Sequence, residues 1–210
     1  MKAGFYLDLI RTVFQAVDDE GKLLHRVVAF TSATPGEGVS YVVNVIAREL
    51  AAQTQKRVLL VDAGVFQTLN LHDPKLITRY CEETELENLL TLSMASSVSA
   101  GQTSRLAAIA MAPAVSDWDR VPAYRNECVA ALRWNFDYIL IDCPSPAVSS
   151  EAGTVAPLAD GVAIVVKAAQ TRRGQIQRLQ RLIETAGGTL LGCVLNQRRY
   201  PVPGWLYNRL

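Results

Sequence analysis

The chain has 210 residues, half of them hydrophobic, and a formal net charge of +1 at pH 7. That length can bury one sizeable core, so a single domain over residues 1–210 is expected, and so small a charge gives no reason to invoke nucleic acid or anionic lipid as a bulk electrostatic partner. Cys81, Cys128, Cys143 and Cys193 form no CxxC pair, which argues against zinc and against a disulfide framework.

Residues 1–22 read as an N-terminal helix. Their opening stretch, MKAGFYLDLIRTVF, carries Asp8 and Arg11 among apolar residues and lacks a small-residue cleavage site, so it does not read as a signal peptide. Residues 27–30 are a short apolar run ending in a Gly-rich turn, and from 41 to 53 the apolar Val42, Val45, Ile46, Ala47 and Leu50 recur at helical spacing. Residues 57–62 (RVLLVD) predict a second buried strand. The interval 63–135 carries weaker signals: an acidic, helix-like piece, a Ser-rich loop, an Ala-rich candidate strand over 105–112 and a helix over 122–134. Residues 138–142 (YILID), 161–167 (GVAIVVK) and 190–196 (LLGCVLN) predict three further strands. A helix over 171–186 carries Ile176, Leu179, Leu182 and Ile183 on one face, and 197–210 form a tail.

Strands that are apolar throughout, instead of alternating, are those covered by helices on both faces, as in parallel sheets. The strand–helix–strand order therefore predicts an α/β domain: a doubly wound, mostly parallel sheet with its ligand crevice at the strand C-terminal ends. Cys143 and Cys193, in or beside such strands, read as reduced core thiols of a cytosolic protein. No apolar run approaches the ~20 residues of a membrane span, so direct membrane insertion is not expected and any association would come through a partner.

Three polar positions fall at strand ends. After 27–30 the chain reads TSATPGEGVSY, where Gly36 and Gly38 supply the bare backbone of a phosphate cradle at a helix N-terminus and Ser40 the hydroxyl for Mg²⁺. The pattern GxxxxGK[ST] is met only in part: its first glycine falls on Ala33, its second on Gly38, its lysine on Val39 and its Ser/Thr on Ser40. Asp62 ends RVLLVD and Asp142 ends DYILID, where a carboxylate at a strand tip can hold a metal directly or through water. Each position also has a plainer role open to it: the glycines as an inherited tight turn, the aspartates as caps for the loops that follow.

These segments together resemble the bacterial tyrosine kinases of capsule and exopolysaccharide synthesis, within the wider group of Min-system and partition-type P-loop ATPases. TSATPGEGVS is similar to that family's Walker A loop, RVLLVDAG to its strand ending in Asp-x-Asp, and DYILIDCPSP to its Walker B strand. LADGVAIVVKAAQT and GCVLNQ are similar to the segments that follow, with Asn196 at the asparagine near the nucleotide base. The order and spacing of five segments carry the resemblance over nearly the whole chain. It implies a P-loop NTPase fold, ATP or ADP with Mg²⁺ as cofactor, Gly36, Glu37, Gly38, Ser40, Tyr41 and Asn196 around the nucleotide, and Ser40, Asp62 and Asp142 around the metal.

The departures fall where the chemistry would be. The family's Walker A lysine is Val39, the second aspartate of Asp-x-Asp is Gly64, and the bulky Tyr41 follows Ser40. Phosphoryl transfer is almost entirely positioning and electrostatic stabilisation. Loss of one such donor costs roughly 100–1000-fold in rate, and no Lys or Arg in this loop replaces the charge. Of the family's Glu-x-x-Arg-x-x-Arg ring element, only Arg11 is kept, with Phe5 and Asp8 at the other two positions, which leaves self-association open. Tyr200 and Tyr207 are phosphoacceptors only by analogy with the family's tyrosine-rich tail. The expectation is a non-catalytic regulator or scaffold with at most weak nucleotide binding, cytoplasmic and docked on the cytoplasmic tail of a membrane polysaccharide co-polymerase. The alternatives are a weak ATPase or tyrosine autokinase of the same pathway and, disfavoured by the missing extra lysine and membrane-targeting tail, a division- or partition-type positioning ATPase.

Overall fold

The computed structural model describes residues 7–54, 56–63, 106–109 (backbone), 126, 129–130, 132–134 and 136–198. Among them six strands form one sheet: β1 (Val27–Ser32), β2 (Val58–Asp62), β3 (Leu106–Ile109), β4 (Tyr138–Asp142), β5 (Gly161–Lys167) and β6 (Leu190–Asn196). Their order across the sheet is β3-β2-β4-β1-β5-β6, and every neighbouring pair is parallel. The doubly wound parallel sheet expected from the sequence is therefore present. The weakly signalled strand within 105–112 forms its β3 edge.

Alternation along each strand divides the core into two layers. On one face Val28, Phe30, Val58, Leu60, Leu140 and Val165 meet α2 (Val39–Thr54), whose Val42, Val43, Ile46, Ala47 and Leu50 form a single apolar stripe. Each such side chain, once buried, contributes about 1.5–3 kcal/mol. On the other face Val27, Ala29, Leu59, Val61, Ile139, Ile141 and Ile164 pack against α3 (Glu151–Val155) and α4 (Arg173–Thr185) through Val155, Leu179 and Ile183. Leu182, expected on the same inward face of α4, keeps 37% of its surface exposed.

Two expectations are corrected. The N-terminal helix does not reach residue 22: α1 (Leu7–Leu9) runs into a π-helical turn over Ile10–Phe14 and stops. Asp18 ends it by accepting from the amides of Glu20 (3.0 Å) and Lys22 (2.8 Å), while Gly21 takes φ +78° and Val17 bridges Leu23 antiparallel. An Asp-x-x-Gly turn outcompetes continued helix at these residues. What remains of the helix is anchored by Ile10 and Phe14, the latter edge-on to Tyr138 at 5.8 Å. Second, Cys193 is exposed while Cys143 is buried. β6 is an edge strand, and Cys193 and Leu195 point to its uncovered side.

At the N-terminal edge of the sheet, far from the strand tips, Asp160 accepts from the amides of Arg26 and Val27 (2.7 Å each). It also accepts both arms of Arg133 (2.5 and 3.1 Å). Arg26 in turn donates to the carbonyls of Asp137, Arg133 and Phe136. Burial alone would raise the Asp160 carboxyl, but these donors together hold it below the ordinary carboxylate range. Among the described residues no helix is long and apolar enough to cross a membrane.

Candidate nucleotide site

Chain order reverses at β1, with β4 on one side and β5 on the other, which is where open α/β sheets carry their crevice. The register brings the polar strand ends to one edge, with Asp62 beside Asp142 and Asp142 beside Phe30 of β1. The loop from Ala33 to Gly38 then enters α2 at Val39.

Two glycines shape that loop, with φ +80° at Gly36 and +87° at Gly38, a region that L residues rarely adopt. Gly38 is further constrained: a Cβ there would lie 2.4 Å from Asn196 Nδ2 and 3.2 Å from Gln197 Nε2, whereas at Gly36 it would meet open space. Asn196 Nδ2 donates to the Glu37 carbonyl at 2.9 Å and Gln197 Nε2 to the Gly36 carbonyl at 3.2 Å. The buried Asn196, which the resemblance puts near a nucleotide base, thus has a hydrogen bond committed to the loop itself.

Glu37 is 2% exposed. Its Oε2 accepts from the Ala33 amide (3.1 Å) and, at 3.5 Å, from that of Thr34, and its Oε1 accepts from the hydroxyls of Thr34 (2.8 Å) and Thr171. Val39 is 8% exposed and belongs to the apolar layer that α2 makes with β1 and β4. Tyr41, in the first turn of α2, is 54% exposed.

On the metal side, the Ser40 side chain lies near enough to Asp142 to favour its charged form. Burial raises the Asp142 carboxyl above its ordinary value; the Ser40 hydroxyl opposes this and the Asp62 charge adds to it. Next in the chain, burial pushes the Cys143 thiol well up, reinforced by the carboxylates of Asp142, Glu151 and Asp62. It is therefore held protonated and inert. Ser40, Asp62 and Asp142 are hard oxygen donors of the kind Mg²⁺ takes. Among the described residues, however, no cluster of three or more His, Cys, Asp or Glu side chains is arranged to hold a metal.

On the phosphate side, Val39 is an apolar side chain in the core. The loop has the backbone turn and helix N-terminus to face an anion, and residues 33–40 contain no Lys or Arg. Gly64, Phe5, Tyr200 and Tyr207, the tail beyond Arg198 and most of the expected 122–134 helix lie outside the described residues.

Sequence reasoning named Glu37 only as a nucleotide-side residue and missed Thr171 and Gln197. Their contacts to the loop span 134 and 161 positions, so no local pattern announces them. Between the ends of β5 and β6 a cleft of about 610 Å³ is lined by Lys167, Ala169, Gln170, Leu195, Gln197 and Arg198. Ala169 (φ +59°) and Gln197 (φ +54°) are its two left-handed non-glycine residues.

Sheet order, loop and strand-end carboxylates together define a domain of P-loop NTPase fold. Among solved structures the VpsO kinase domain matches 94% of this chain and 94% of its own (TM-score 0.59, 22% identity), and the kinase domain of Escherichia coli tyrosine kinase ETK matches 86% and 71% (0.56, 19%). The cell division protein MinD of Aquifex aeolicus matches 88% and 72% (0.54, 21%).

Sequence comparison then narrows the class, although no family model matches the chain. Its homologues are bacterial tyrosine-protein kinases. CpsD of Streptococcus agalactiae is 28% identical over 93% of this chain and 84% of its own length, and YwqD of Bacillus subtilis is 28% identical over 89% and 76%. The succinoglycan biosynthesis transport protein ExoP of Rhizobium meliloti is 29% identical over 82% of this chain, a stretch that makes up 22% of ExoP.

Proposed function

We propose that the chain is a catalytically degenerate, tyrosine-kinase-like domain that regulates or scaffolds bacterial exopolysaccharide or capsule synthesis. The observation that carries the reading is the burial of Val39 in the apolar layer beneath the cradle. A valine there can neither donate to a phosphate nor offset charge on a transferred group, and phosphoryl transfer depends on both. Gly64 in place of the second aspartate points the same way. The similarity to kinases and to a transport protein of succinoglycan biosynthesis supports the pathway. In ExoP a stretch like this chain is part of a much longer transport protein, which supports a membrane polysaccharide co-polymerase as partner, met on its cytoplasmic side.

The test is calorimetry with Mg-ATP on the natural chain and on a Val39→Lys, Gly64→Asp double variant. Little or no binding is expected in the first and a gain in the second. Micromolar affinity in the natural chain, with phosphate release or tyrosine phosphorylation, would overturn the reading. It would favour instead a weak ATPase or autokinase, for which the placement of Asp62 beside Asp142 at the strand ends is the supporting observation.

A further inference from the structure

The loop that would cradle a phosphate is joined by side chains to the two strand ends next to it, and Glu37 is the centre of that junction. Both of its carboxylate oxygens are occupied: Oε2 by the Ala33 amide and, more distantly, that of Thr34, and Oε1 by the hydroxyls of Thr34 and Thr171. Three of these donors lie within its own loop. Thr171 does not: it sits in the connection from β5 to α4, where its Oγ1 also accepts from the Lys167 amide (3.0 Å) and reaches the Lys167 carbonyl (3.2 Å). That hydroxyl is thus shared between the turn after β5 and the carboxylate inside the β1–α2 loop.

We infer that the Glu37–Thr171 bond mechanically couples the β1–α2 loop to the β5–α4 connection, so that a change imposed on one is felt at the other. A charge-assisted hydrogen bond to a buried carboxylate is among the stronger polar contacts a protein makes. Releasing it leaves an acceptor in a site where only 2% of Glu37 is exposed, with little water to replace the donor. Neither loop can therefore move independently without that loss. Lys167 and Gln170 of the β5–α4 connection line the cleft between β5 and β6, as does Gln197, which bonds the Gly36 carbonyl directly, so an occupant of that cleft would meet the cradle through Gln197 as well as through Thr171. The reverse holds with equal free energy, because coupling between two sites is reciprocal. Asn196 and Gln197 brace the same loop from β6 through its carbonyls, which keeps the cradle shaped while Glu37 transmits. The coupling is independent of whether the loop binds nucleotide.

Amide hydrogen exchange on the full chain tests it with no ligand added. Thr171→Val keeps the β-branched shape and removes the hydroxyl. The amides of Ala33 and Thr34, on the other loop, are expected to exchange about tenfold faster, as loss of one charge-assisted bond implies, while those of Leu50 and Ile183 in α2 and α4 stay unchanged. Thr171→Ser restores the hydroxyl and is expected to restore protection at Ala33 and Thr34. Glu37→Gln, which replaces one of the two accepting oxygens by an NH2 donor and so cannot serve both the loop amides and the Thr171 hydroxyl, is expected to speed exchange at Lys167 and Thr171.

Effects confined to the mutated loop would overturn the coupling, as would a uniform acceleration across the sheet or a Thr171→Ser variant as perturbed as Thr171→Val. Micromolar Mg-ATP binding with phosphate release or tyrosine phosphorylation would refute the proposed function and leave these exchange results, read without ligand, unaffected, so the two failures are distinguishable.

Discussion

Substituting Gly38 by alanine measures how firmly the cradle is held by the protein itself. Two separable costs follow from the geometry. The residue has φ +87°, and an L residue in that region costs about 1–2 kcal/mol. The added Cβ would also lie 2.4 Å from Asn196 Nδ2, which must move and so give up its 2.9 Å bond to the Glu37 carbonyl. Asn196 is 5% exposed, so a buried pair is left unmatched, at about 1–3 kcal/mol. The sum is about 2–5 kcal/mol, read as a lower midpoint in urea unfolding followed by circular dichroism.

Two controls separate the terms. Gly36→Ala has the same backbone problem at φ +80° but meets open space, so it should cost only about 1–2 kcal/mol. Asn196→Ala removes the bond and makes room for the methyl, so Gly38→Ala in that background should also fall to the backbone term. The cycle should therefore show about 1–3 kcal/mol of coupling between positions 38 and 196. If the two substitutions add to within ~0.5 kcal/mol, or if Gly38→Ala costs no more than Gly36→Ala, then Asn196 does not brace the loop and the reasoning fails.

Other outcomes follow from the charges. Because Asp142 is raised by burial and by Asp62 despite the Ser40 hydroxyl, its ionised form is unfavourable in the folded chain. Its contribution is therefore stabilising at low pH and is lost as pH rises from the ordinary carboxylate range through the raised value; Asp142→Asn should increase the urea midpoint at pH 7 and remove that part of the pH dependence. Asp160 behaves oppositely: its lowered carboxyl stabilises above the ordinary value and loses that stabilisation as pH falls through the depressed one. Asp160→Asn should cost about 1.5–3 kcal/mol at neutral pH, with much less difference from the natural chain in acid unfolding. Val39→Lys alone should lower stability by up to about 1.5–3 kcal/mol, the value of a buried valine. In the double variant with Gly64→Asp, added Mg-ATP should return about 2.7 kcal/mol at a hundred times its dissociation constant, seen as a nucleotide-dependent melting shift absent from the natural chain.

What the sequence disclosed and what it withheld divide along the range of the interactions. Continuous apolar runs such as GVAIVVK set both the strand and its burial on two faces, so β5 could be placed to the residue and the parallel sheet followed. The same argument over-reached at β6. LLGCVLN is as apolar as the others, but it is an edge strand, and no local pattern distinguishes an edge from a centre. At the N-terminus residues 1–22 read as helix, but it ends at Phe14 and the Asp18 side chain with Gly21 forms a turn in its place. Within the site the glycines, Ser40 and the two strand-end aspartates were legible because each has a fixed place relative to its strand. The contacts of Thr171, Asn196 and Gln197 with the loop were not, because they depend on which strands become neighbours.

The charges around the cradle explain why a valine matters more here than a simple missing contact would. Asp62 and Asp142 together carry two formal negative charges at the tips of β2 and β4, which a divalent metal would offset. Glu37 adds a third, placed inside the loop and satisfied by neutral amides and hydroxyls. An incoming polyphosphate brings more negative charge to the same place. Residues 33–40 contain no Lys or Arg, so the loop itself offers only the partial positive charge of its amides and of the α2 N-terminus, equivalent to about half an elementary charge. A lysine at position 39 would add one full positive charge to this balance. With valine there the loop keeps its turn through Glu37, Asn196 and Gln197, and under the proposed reading it recruits a phosphate poorly. A cradle braced from within keeps its form without a ligand, which is what the proposed scaffolding role requires.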